Sequence, residues 1–373
     1  MLIEELKLTN FRNYKELTLH PHSGVNLFYG RNGSGKTNLL EAVHYCALGR
    51  SHRISNDAHA VKNGEVFAIS SVSIRNSLGK RNIAVRFHPD EVQKKTVLMD
   101  GKKIAKFSDM MGCLRCVIFS PEDLGLIKEG PSIRRRYLDM MISQINKGYF
   151  IALQQYRTCM EQRNALIRNL KTNSHVDTSM ISAFEETMAV PAAVIIRERR
   201  RIVELLSDIA RDTYQRVSST DEYFRLVYHS SVKEETEMED TLCRLLRENR
   251  EDDIRMGFTS VGPHRDDLIL TLNKSPMKQF ASQGQIRTAA LSMKLAQMQI
   301  LRDLSGEEPV LLLDDVMSEL DRKRRACLIG EIRSFQTFIT CTDQDDVDCS
   351  KVDRIWMVAS EDGEAGIEEI HYP

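Results

Sequence analysis

The chain has 373 residues, of which 42% are hydrophobic and 28% charged, and its formal net charge is -1. This length is enough for one large domain or two ordinary domains. Near-neutrality excludes a uniformly basic nucleic-acid-binding protein, so any contact with a polyanion requires a local basic patch. No apolar run approaches a membrane span and the amino terminus is unlike a signal peptide. The eight scattered cysteines favour a reducing compartment, so we expect a cytoplasmic protein with no membrane partner.

Residues 1–130 have mainly the pattern of short strands. Alternating apolar residues predict strands at Ile3–Leu8, Glu16–Leu19, Val25–Tyr29, Val66–Ile74, Asn82–Phe87, Thr96–Met99 and Leu114–Phe119. Asp100-Gly101 predicts a hairpin turn. A strong helical pattern starts at Asn38, directly behind a glycine-rich loop. We expect this part to be the amino-terminal half of an α/β head.

The glycine-rich loop follows the strand Val25–Tyr29 and matches the G-x-x-x-x-G-K-T pattern of a P-loop. Its residues are Gly30, Arg31, Asn32, Gly33, Ser34, Gly35, Lys36 and Thr37. Glycines let backbone N–H groups point at phosphate oxygens, and the start of the next helix adds partial positive charge. We therefore expect ATP here, with Lys36 on the β- and γ-phosphates as a catalytic group and the Thr37 hydroxyl on Mg²⁺. The alternative is a glycine turn with an incidental lysine.

Residues 131–220 predict a lobe of long helices. From Ser132 to Lys171, apolar residues recur in steps of three and four, which predicts one long amphipathic helix. A second helix has the repeat of a coiled-coil seam, and Pro191 predicts a kink in it or a late start. The residues at this seven-residue spacing are Ile181, Met188, Ile195, Ile202 and Ile209. Two helices of about 40 residues, each roughly 60 Å long, predict an antiparallel hairpin projecting from the head; the alternative is two ordinary helices packed on it.

Residues 221–373 return to a pattern of strands and loops, which predicts the carboxy-terminal half of the head. Strands are predicted at Arg225–Tyr228, Leu268–Leu272, Val310–Leu313, Phe338–Cys341 and Arg354–Val358, with a weaker one at Gly366–His371. The third of these strands ends in two acids. In a P-loop ATPase the first acid orders the Mg²⁺ shell and the second polarises the attacking water. We assign the metal role to Asp314 and the catalytic role to Asp315, although ABC-type ATPases usually have a glutamate at the second position.

The spacing of the two motifs indicates an insertion. Thr37 and Asp314 lie 277 residues apart, far more than a compact P-loop domain needs. The long-helix lobe therefore looks like an insertion into one ABC-type ATPase head, which gives an α/β fold of mixed sheets and helices with an inserted helical lobe.

A third motif precedes the predicted helix Ile286–Ile300 and consists of Ser282, Gln283, Gly284 and Gln285. A hydroxyl, a glycine and helix-start amides can together bind an anion. In the ABC-type arrangement this anion is the γ-phosphate held by the opposite subunit, and the motif is the signature motif. The alternative is a plain N-cap box.

Two further positions fit the ABC-type order. Ser318 and Asp321 follow the acidic pair and fit the D-loop, which crosses the dimer interface beside the nucleotide. ABC-type ATPases usually place a switch histidine after the next strand. Here that strand ends in Thr342-Asp343 without one, so we expect Thr342 or Asp343 to sense the γ-phosphate.

Four segments resemble the RecF family of bacterial recombination mediators, which are related to SMC-type heads. They are Leu6–Tyr14, Ser120–Leu124, Gly130-Pro131 with Arg134–Asp139, and Thr259–Asp267. The likeness extends from residue 2 to about residue 345 and is weakest in the helical region. It implies an ATP-dependent DNA-binding protein of recombinational repair, replication restart and the SOS response. It also implies ATP-driven homodimerisation on single-strand, duplex or gapped DNA, slow DNA-stimulated ATP hydrolysis, and RecR and RecO as partners.

The case for DNA from the residues themselves is weaker. Arginine-rich runs occur at 134–136, 197–201 and 322–325, and each is either a solvated helix face or a set of phosphate contacts. Other functions left open are an ABC-transporter ATPase subunit, an ABC-headed nuclease and a structural SMC-like linker. The transporter is disfavoured by the motif spacing and the missing switch histidine, the nuclease by the short carboxy-terminal remainder, and the linker by the short helices.

Overall fold

The computed structural model describes residues 1–54, 56–77, 79–172, 179–233, 236–343 and 347–370. Its strands are β1 (Leu2–Phe11), β2 (Tyr14–Leu19), β3 (Val25–Tyr29), β4 (Ala68–Asn76), β5 (Gly79–Phe87), β6 (Lys95–Met99), β7 (Lys102–Lys103), β8 (Cys116–Phe119), β9 (Phe224–His229), β10 (Asp267–Leu272), β11 (Ser275–Pro276), β12 (Val310–Asp314), β13 (Thr337–Cys341), β14 (Arg354–Glu361) and β15 (Glu364–Ile370). Its α-helices are α1 (Lys36–Leu48), α2 (Gly125–Lys128), α3 (Pro131–Ser143), α4 (Lys147–Thr172), α5 (Ser179–Ser218), α6 (Met238–Glu248), α7 (Arg250–Met256), α8 (Met277–Phe280), α9 (Gln283–Ser305), α10 (Val316–Glu319) and α11 (Arg322–Ile332). Within the described ranges, no helix is long and apolar enough to cross a membrane.

The chain folds into two compact units. The first consists of Met1–Leu124 with Ala290–Pro373, and the second is Gly125–Ala289. Residues 221–289, which we expected in the head, therefore lie in the same unit as the long helices. The predicted boundaries at residues 130 and 220, between the two halves of the ATPase head and the helical lobe, stay a prediction.

The first unit contains two six-stranded sheets in its described residues. One has the order β2-β1-β4-β5-β6-β7 with antiparallel neighbours, and the other has the order β15-β14-β3-β13-β12-β8. In the second sheet the neighbours from β14 to β8 are parallel. Phe28 stacks between Phe338 and Trp356, with ring centroids 5.9 and 6.2 Å apart. A buried parallel sheet of this kind confirms the predicted α/β class.

The single helix predicted for residues 132–171 is wrong. Two helices, α3 and α4, occupy this stretch, and they are separated by residues 144–146. The Asn146 side chain accepts a hydrogen bond from the Tyr149 N–H at 3.0 Å, as an N-cap residue does. Because this cap starts a new helix, the apolar periodicity continues while the backbone does not.

Helix α5 is 40 residues long, as predicted, and it runs through Pro191. Ile181, Met188, Ile195 and Ile202 are fully buried. Their burial is shared, because α5 contacts α6 and β9 as well as α4. The seven-residue repeat therefore indicates a buried face in a mixed helix-and-sheet unit rather than a seam between two helices alone.

Residues 238–256, for which no element was predicted, form the helices α6 and α7. The same unit holds a three-stranded antiparallel sheet of order β11-β10-β9. The sequence carries a local signal for α6, because Leu242 and Leu246 are buried at helical spacing.

The turn before β10 is fixed by His264. Its Nε2 lies 2.9 Å from the carbonyl oxygen of Thr259 and its Nδ1 lies 2.6 Å from the Tyr156 hydroxyl. Since a carbonyl oxygen only accepts, Nε2 donates and Nδ1 accepts. Burial lowers the pKa of His264 to about 4, so the ring is neutral at pH 7 and fixes the turn.

A buried charge cluster ties three elements of the second unit together. The Arg163 guanidinium donates to Asp253 at 2.7 Å, to Thr259 at 2.9 Å and to Glu185 at 3.1 Å. The side chains of Arg163, Glu185 and Asp253 are all fully buried. A buried carboxylate is tolerated only while it is paired.

We predict that Arg163→Met lowers the free energy of unfolding by about 3–5 kcal/mol, because it removes the cation paired with the buried Asp253 and one of the arginines paired with the buried Glu185. Urea unfolding followed by far-UV circular dichroism measures the loss. Arg157→Met is the matched control on the same helix, since Arg157 is exposed and pairs with the exposed Glu161; its effect should be within about 0.5 kcal/mol. Equal effects in the two variants would contradict the role of the cluster.

Candidate functional site

The candidate site lies at the carboxyl edge of the parallel strands in the first unit. In the register of the sheet, Tyr29 is paired with Cys341, and Asp314 with Thr340. The loops that follow β3, β12 and β13 therefore start at one level. Ligands of open α/β sheets bind at this edge, outside the carboxyl ends of the strands.

The P-loop backbone requires glycine at two positions, because a Cβ would collide with a backbone oxygen at one and with a side chain at the other. Gly30 has φ +156°, and a Cβ there would lie 2.1 Å from the carbonyl oxygen of Val358. Gly35 has φ +115°, and a Cβ there would lie 2.8 Å from the Asn13 amide nitrogen. The Asn13 side chain cannot easily move, because it donates to the Ser34 carbonyl oxygen and accepts from Asn38.

Lys36 is the first residue of α1 and is buried. Its Nζ donates to the carbonyl oxygens of Gly30 at 2.7 Å and Arg31 at 2.9 Å. Burial lowers its pKa, and the nearby charge of Asp315 opposes that shift. The ammonium group thus lies inside the loop, where phosphate oxygens can replace these two carbonyl oxygens as acceptors.

Asp314 joins the P-loop to the sheet edge. Its Oδ1 accepts a hydrogen bond from Thr37 Oγ1 at 2.8 Å and another from Thr340 Oγ1 at 2.8 Å. Burial raises the pKa of Asp314, and the two threonine hydrogen bonds oppose the shift by favouring the carboxylate. Thr37 and Asp314, the two predicted metal ligands, are therefore in direct contact.

Asp315 has the left-handed conformation, with φ +53° and ψ +24°, directly before α10. Its backbone N–H contacts the Thr340 hydroxyl at 3.1 Å and the Thr340 carbonyl oxygen at 3.2 Å. Asp and Asn tolerate this conformation better than Glu does. The backbone here thus gives a physical reason for an aspartate where a glutamate is usual.

The two predicted D-loop residues have local structural partners. The Ser318 hydroxyl donates to the Asp315 carbonyl oxygen at 2.9 Å. Asp321 caps α11 by accepting from the Arg324 N–H at 2.9 Å, and this hydrogen bond lowers the pKa of Asp321. Both residues are on the surface of the first unit, and neither contact tests a role at a dimer interface.

The segment after β13 returns to the P-loop. The Thr342 hydroxyl donates to the Asn32 side-chain oxygen at 3.1 Å. Thr342, one of the two groups expected to replace a switch histidine, therefore has a hydrogen bond to the P-loop. Gln344, which follows them in the sequence, is outside the described residues.

The β1–β2 hairpin supports the P-loop, and the residues alone did not suggest this. The Tyr14 hydroxyl donates to the Gly35 carbonyl oxygen at 3.2 Å. The Arg12 guanidinium donates to both carboxylate oxygens of the buried Glu41 on α1, at 2.8 and 2.9 Å. The available signal was the family resemblance of Leu6–Tyr14, which located these residues without explaining them.

The predicted signature motif lies in the second unit and forms a capping box. The Ser282 N–H donates to the Gln285 side-chain oxygen at 2.7 Å, and the Gln285 N–H donates to the Ser282 hydroxyl at 3.3 Å. Gln283 accepts from Lys128 at 3.0 Å, and the hydroxyl of Thr288 donates to the Gly284 carbonyl oxygen at 2.9 Å. Ser282 and Gln283 are exposed, so the start of α9 is open to a ligand.

The basic runs are only partly available for DNA. Arg134 is buried and forms a bidentate salt bridge with Asp267, in which both N–O distances are 2.8 Å. Arg199 is buried against Asp139 at 2.7 Å. The exposed members are candidates for phosphate contacts, and these are Arg197, Arg201, Arg322 and Lys323.

Known proteins resemble nearly the whole chain. The family model described as RecF/RecN/SMC N terminal domain matches residues 2–365. The DNA replication and repair protein RecF of Clostridium novyi is 39% identical over 347 residues, covering 93% of this chain and 94% of that protein. The RecF of Acetivibrio thermocellus is 39% identical over 352 residues, covering 92% and 94%.

Two solved structures extend the comparison to the fold. The recombination mediator protein RecF with ATP in the RecFOR pathway has a TM-score of 0.90 and 35% identity, covering 99% of this chain and 97% of that chain. The Smc head domain of Pyrococcus furiosus, with an extended coiled coil and bound to the C-terminal domain of ScpA, has a TM-score of 0.59 and 17% identity, covering 99% and 96%. The predicted ABC-type head fold is confirmed.

We predict that Gly35→Ala destabilises the chain more than Gly33→Ala does. Both positions have positive φ, but a Cβ at Gly33 meets no atom within 4 Å. The strained backbone alone should cost about 1 kcal/mol at Gly33, and displacement of Asn13 should raise the loss at Gly35 to about 2–3 kcal/mol. Urea unfolding without nucleotide measures both, and equal losses would contradict the packing of Asn13 on the loop.

Proposed function

We propose, because this chain belongs to the RecF family of DNA replication and repair proteins, that it is an ATPase whose ATP-bound form dimerises on DNA in recombinational repair and replication restart. Its partners would be gapped, duplex or single-strand DNA, RecR and RecO, in the cytoplasm and in the SOS response. The observation that carries the proposal is the hydrogen bond between Thr37 and Asp314, 277 residues apart. It brings the P-loop and the acidic strand end together as a P-loop ATPase requires.

The residues fit ATP with Mg²⁺. The hydroxyl of Thr37 and the carboxylate of Asp314 are hard oxygen donors already in contact at 2.8 Å, which is the donor chemistry that Mg²⁺ prefers. Bound there, the ion would neutralise charge on the β- and γ-phosphates. The backbone N–H groups from Gly30 to Thr37 would hold the phosphate oxygens, and Lys36 would turn to the β- and γ-phosphates.

We assign hydrolysis to Asp315 and Lys36. The carboxylate of Asp315 accepts a proton from the water that attacks the γ-phosphorus. Lys36 stabilises the negative charge that develops on the oxygen between the β- and γ-phosphates as that bond breaks. The charge of Asp315 acts on Lys36, in support of both groups working at one phosphate chain.

The start of α9 is the element proposed to act on a second copy. Ser282 and the amides at its first turn would bind the γ-phosphate held by the partner's P-loop. Dimerisation then depends on ATP, and hydrolysis removes the group that joins the copies. Pairing also places two copies of each exposed basic patch on one DNA molecule. Slow ATP hydrolysis then releases the DNA.

We predict that Asp315→Asn binds ATP normally and hydrolyses it about 100- to 1,000-fold more slowly, because an amide is a poor proton acceptor. Asparagine also suits the left-handed backbone, so the fold should persist, and the ATP-bound dimer should accumulate. Single-turnover hydrolysis and sedimentation measure the two effects. Lys36→Met is the control that should neither bind ATP nor dimerise.

Normal turnover in Asp315→Asn would move the base role to another acid. Glu122 is the next candidate, because it is exposed and its negative charge helps to raise the pKa of Asp314. Asp123 is a weaker one, because its carboxylate is paired with Lys294 at 2.7 Å.

We predict that Ser282→Arg binds ATP as a monomer but does not dimerise, because the cation fills the space for the partner's γ-phosphate. Ser282→Thr is the matched control, since it keeps the capping oxygen. Sedimentation with ATP separates the two. An intact ATP-driven dimer of Ser282→Arg would refute the role of the motif in trans.

The same variants test the function on DNA. Affinity for gapped duplex is measured against salt concentration, with and without ATP. Each additional phosphate neutralised should steepen the log–log salt slope by about 0.9, so ATP should steepen it for wild type and Ser282→Thr and leave it unchanged for Ser282→Arg. If ATP changes neither affinity nor slope in wild type, the proposed DNA clamp fails.

A further inference from the structure

The geometry points to Glu222 as a positioning residue that fixes the signature motif and connects it to the long helix α5. This inference rests on the proposed role of Ser282 in ATP-driven dimerisation and adds a residue that was not among the predicted site residues. Glu222 does not contact the phosphate in this assignment. It acts through Gln285.

The first step is the carboxamide of Gln285, which has a partner at each end. Its oxygen accepts from the Ser282 N–H at 2.7 Å, and its Nε2 donates to Glu222 Oε1 at 2.6 Å. A backbone N–H can only donate and a carboxylate can only accept, so the amide has one possible orientation. Glu222 thereby holds the oxygen of Gln285 against Ser282.

The second step is the other oxygen of Glu222. Its Oε2 accepts from the hydroxyls of Tyr214 and Thr220, both at 3.1 Å. Tyr214 is fully buried near the end of α5, and its ring packs on Phe224 with the centroids 5.2 Å apart. The carboxylate thus connects the carboxy-terminal part of α5 to the start of α9 within the second unit.

This bridge has a consequence for the anion site. An anion at the first turn of α9 binds best when the Ser282 hydroxyl and the helix-start amides are already in place. Charge-assisted hydrogen bonds are about twice as strong as neutral ones, and the one from Gln285 to Glu222 removes the freedom of the Gln285 side chain. A displacement at the end of α5 would be transmitted to the motif through the same carboxylate.

Two conservative variants separate geometry from charge. Glu222→Gln loses the charge and keeps the length, so its oxygen can still accept from Gln285 while its amide group turns to the hydroxyls of Tyr214 and Thr220. Glu222→Asp keeps the charge and is one methylene shorter, so it cannot reach Gln285 and Tyr214 together. Both changes are small enough to preserve the fold, which thermal unfolding without ATP checks.

The measurement is the ATP-driven monomer–dimer equilibrium by sedimentation, with ATP affinity of the monomer measured at low protein concentration. Loss of one charge-assisted hydrogen bond predicts an about tenfold weaker dimer for Glu222→Asp, a smaller loss for Glu222→Gln, which keeps this hydrogen bond as a neutral one, and unchanged monomer ATP affinity for both. Tyr214→Phe, which keeps the ring packing and removes only the hydroxyl, should weaken the dimer less than Glu222→Asp does.

The outcomes decide between the inference and the function on which it rests. A wild-type chain that does not dimerise with ATP overturns the proposed function. If wild type dimerises and Ser282→Arg does not, the function stands. In that case, a normal dimer for Glu222→Asp, or a loss in Glu222→Gln as large as in Glu222→Asp, overturns the positioning role.

Discussion

The carboxylate of Asp314 is the point on which the site depends. One oxygen receives the hydroxyl of Thr37 from the first turn of α1 and the hydroxyl of Thr340 from β13. Burial disfavours the charge on this group, and these two hydrogen bonds oppose that effect. Three elements that are distant in sequence therefore meet at one carboxylate. The parallel register of β3, β13 and β12 makes the meeting possible, because it ends these strands at one level.

The parts of the site that a sequence can specify are those with a local pattern. The strand Val25–Tyr29 was predicted with its observed bounds, and the strand from Val310 differs by one residue at its end. A short apolar run bounded by glycines or acids carries its own signal, and the G-x-x-x-x-G-K-T spacing places a helix start directly behind it. The capping box at Ser282 was also recognisable, because Ser and Gln three residues apart are sufficient for it.

The parts that could not be predicted depend on distant contacts. Nothing near Tyr14 in the sequence indicates that its hydroxyl reaches the Gly35 carbonyl oxygen. Arg134 and Arg199 look like exposed basic residues until their buried partners are known. The break before α4 is an intermediate case. Its cap, Asn146, was not singled out, because the apolar periodicity continues across it.

The signature motif shows why a structural contact does not exclude a functional one. In the capping box the Ser282 oxygen accepts a hydrogen bond from the Gln285 N–H, which uses a lone pair and leaves the hydroxyl hydrogen free to donate. In the chain as described, no acceptor takes that hydrogen. A phosphate oxygen offers only acceptors, so the box and an anion would use different sides of the same hydroxyl. The cap fixes where the oxygen lies, and the anion needs that oxygen fixed. A plain N-cap and an anion site, which are alternatives when only the sequence is known, are therefore compatible at this helix start.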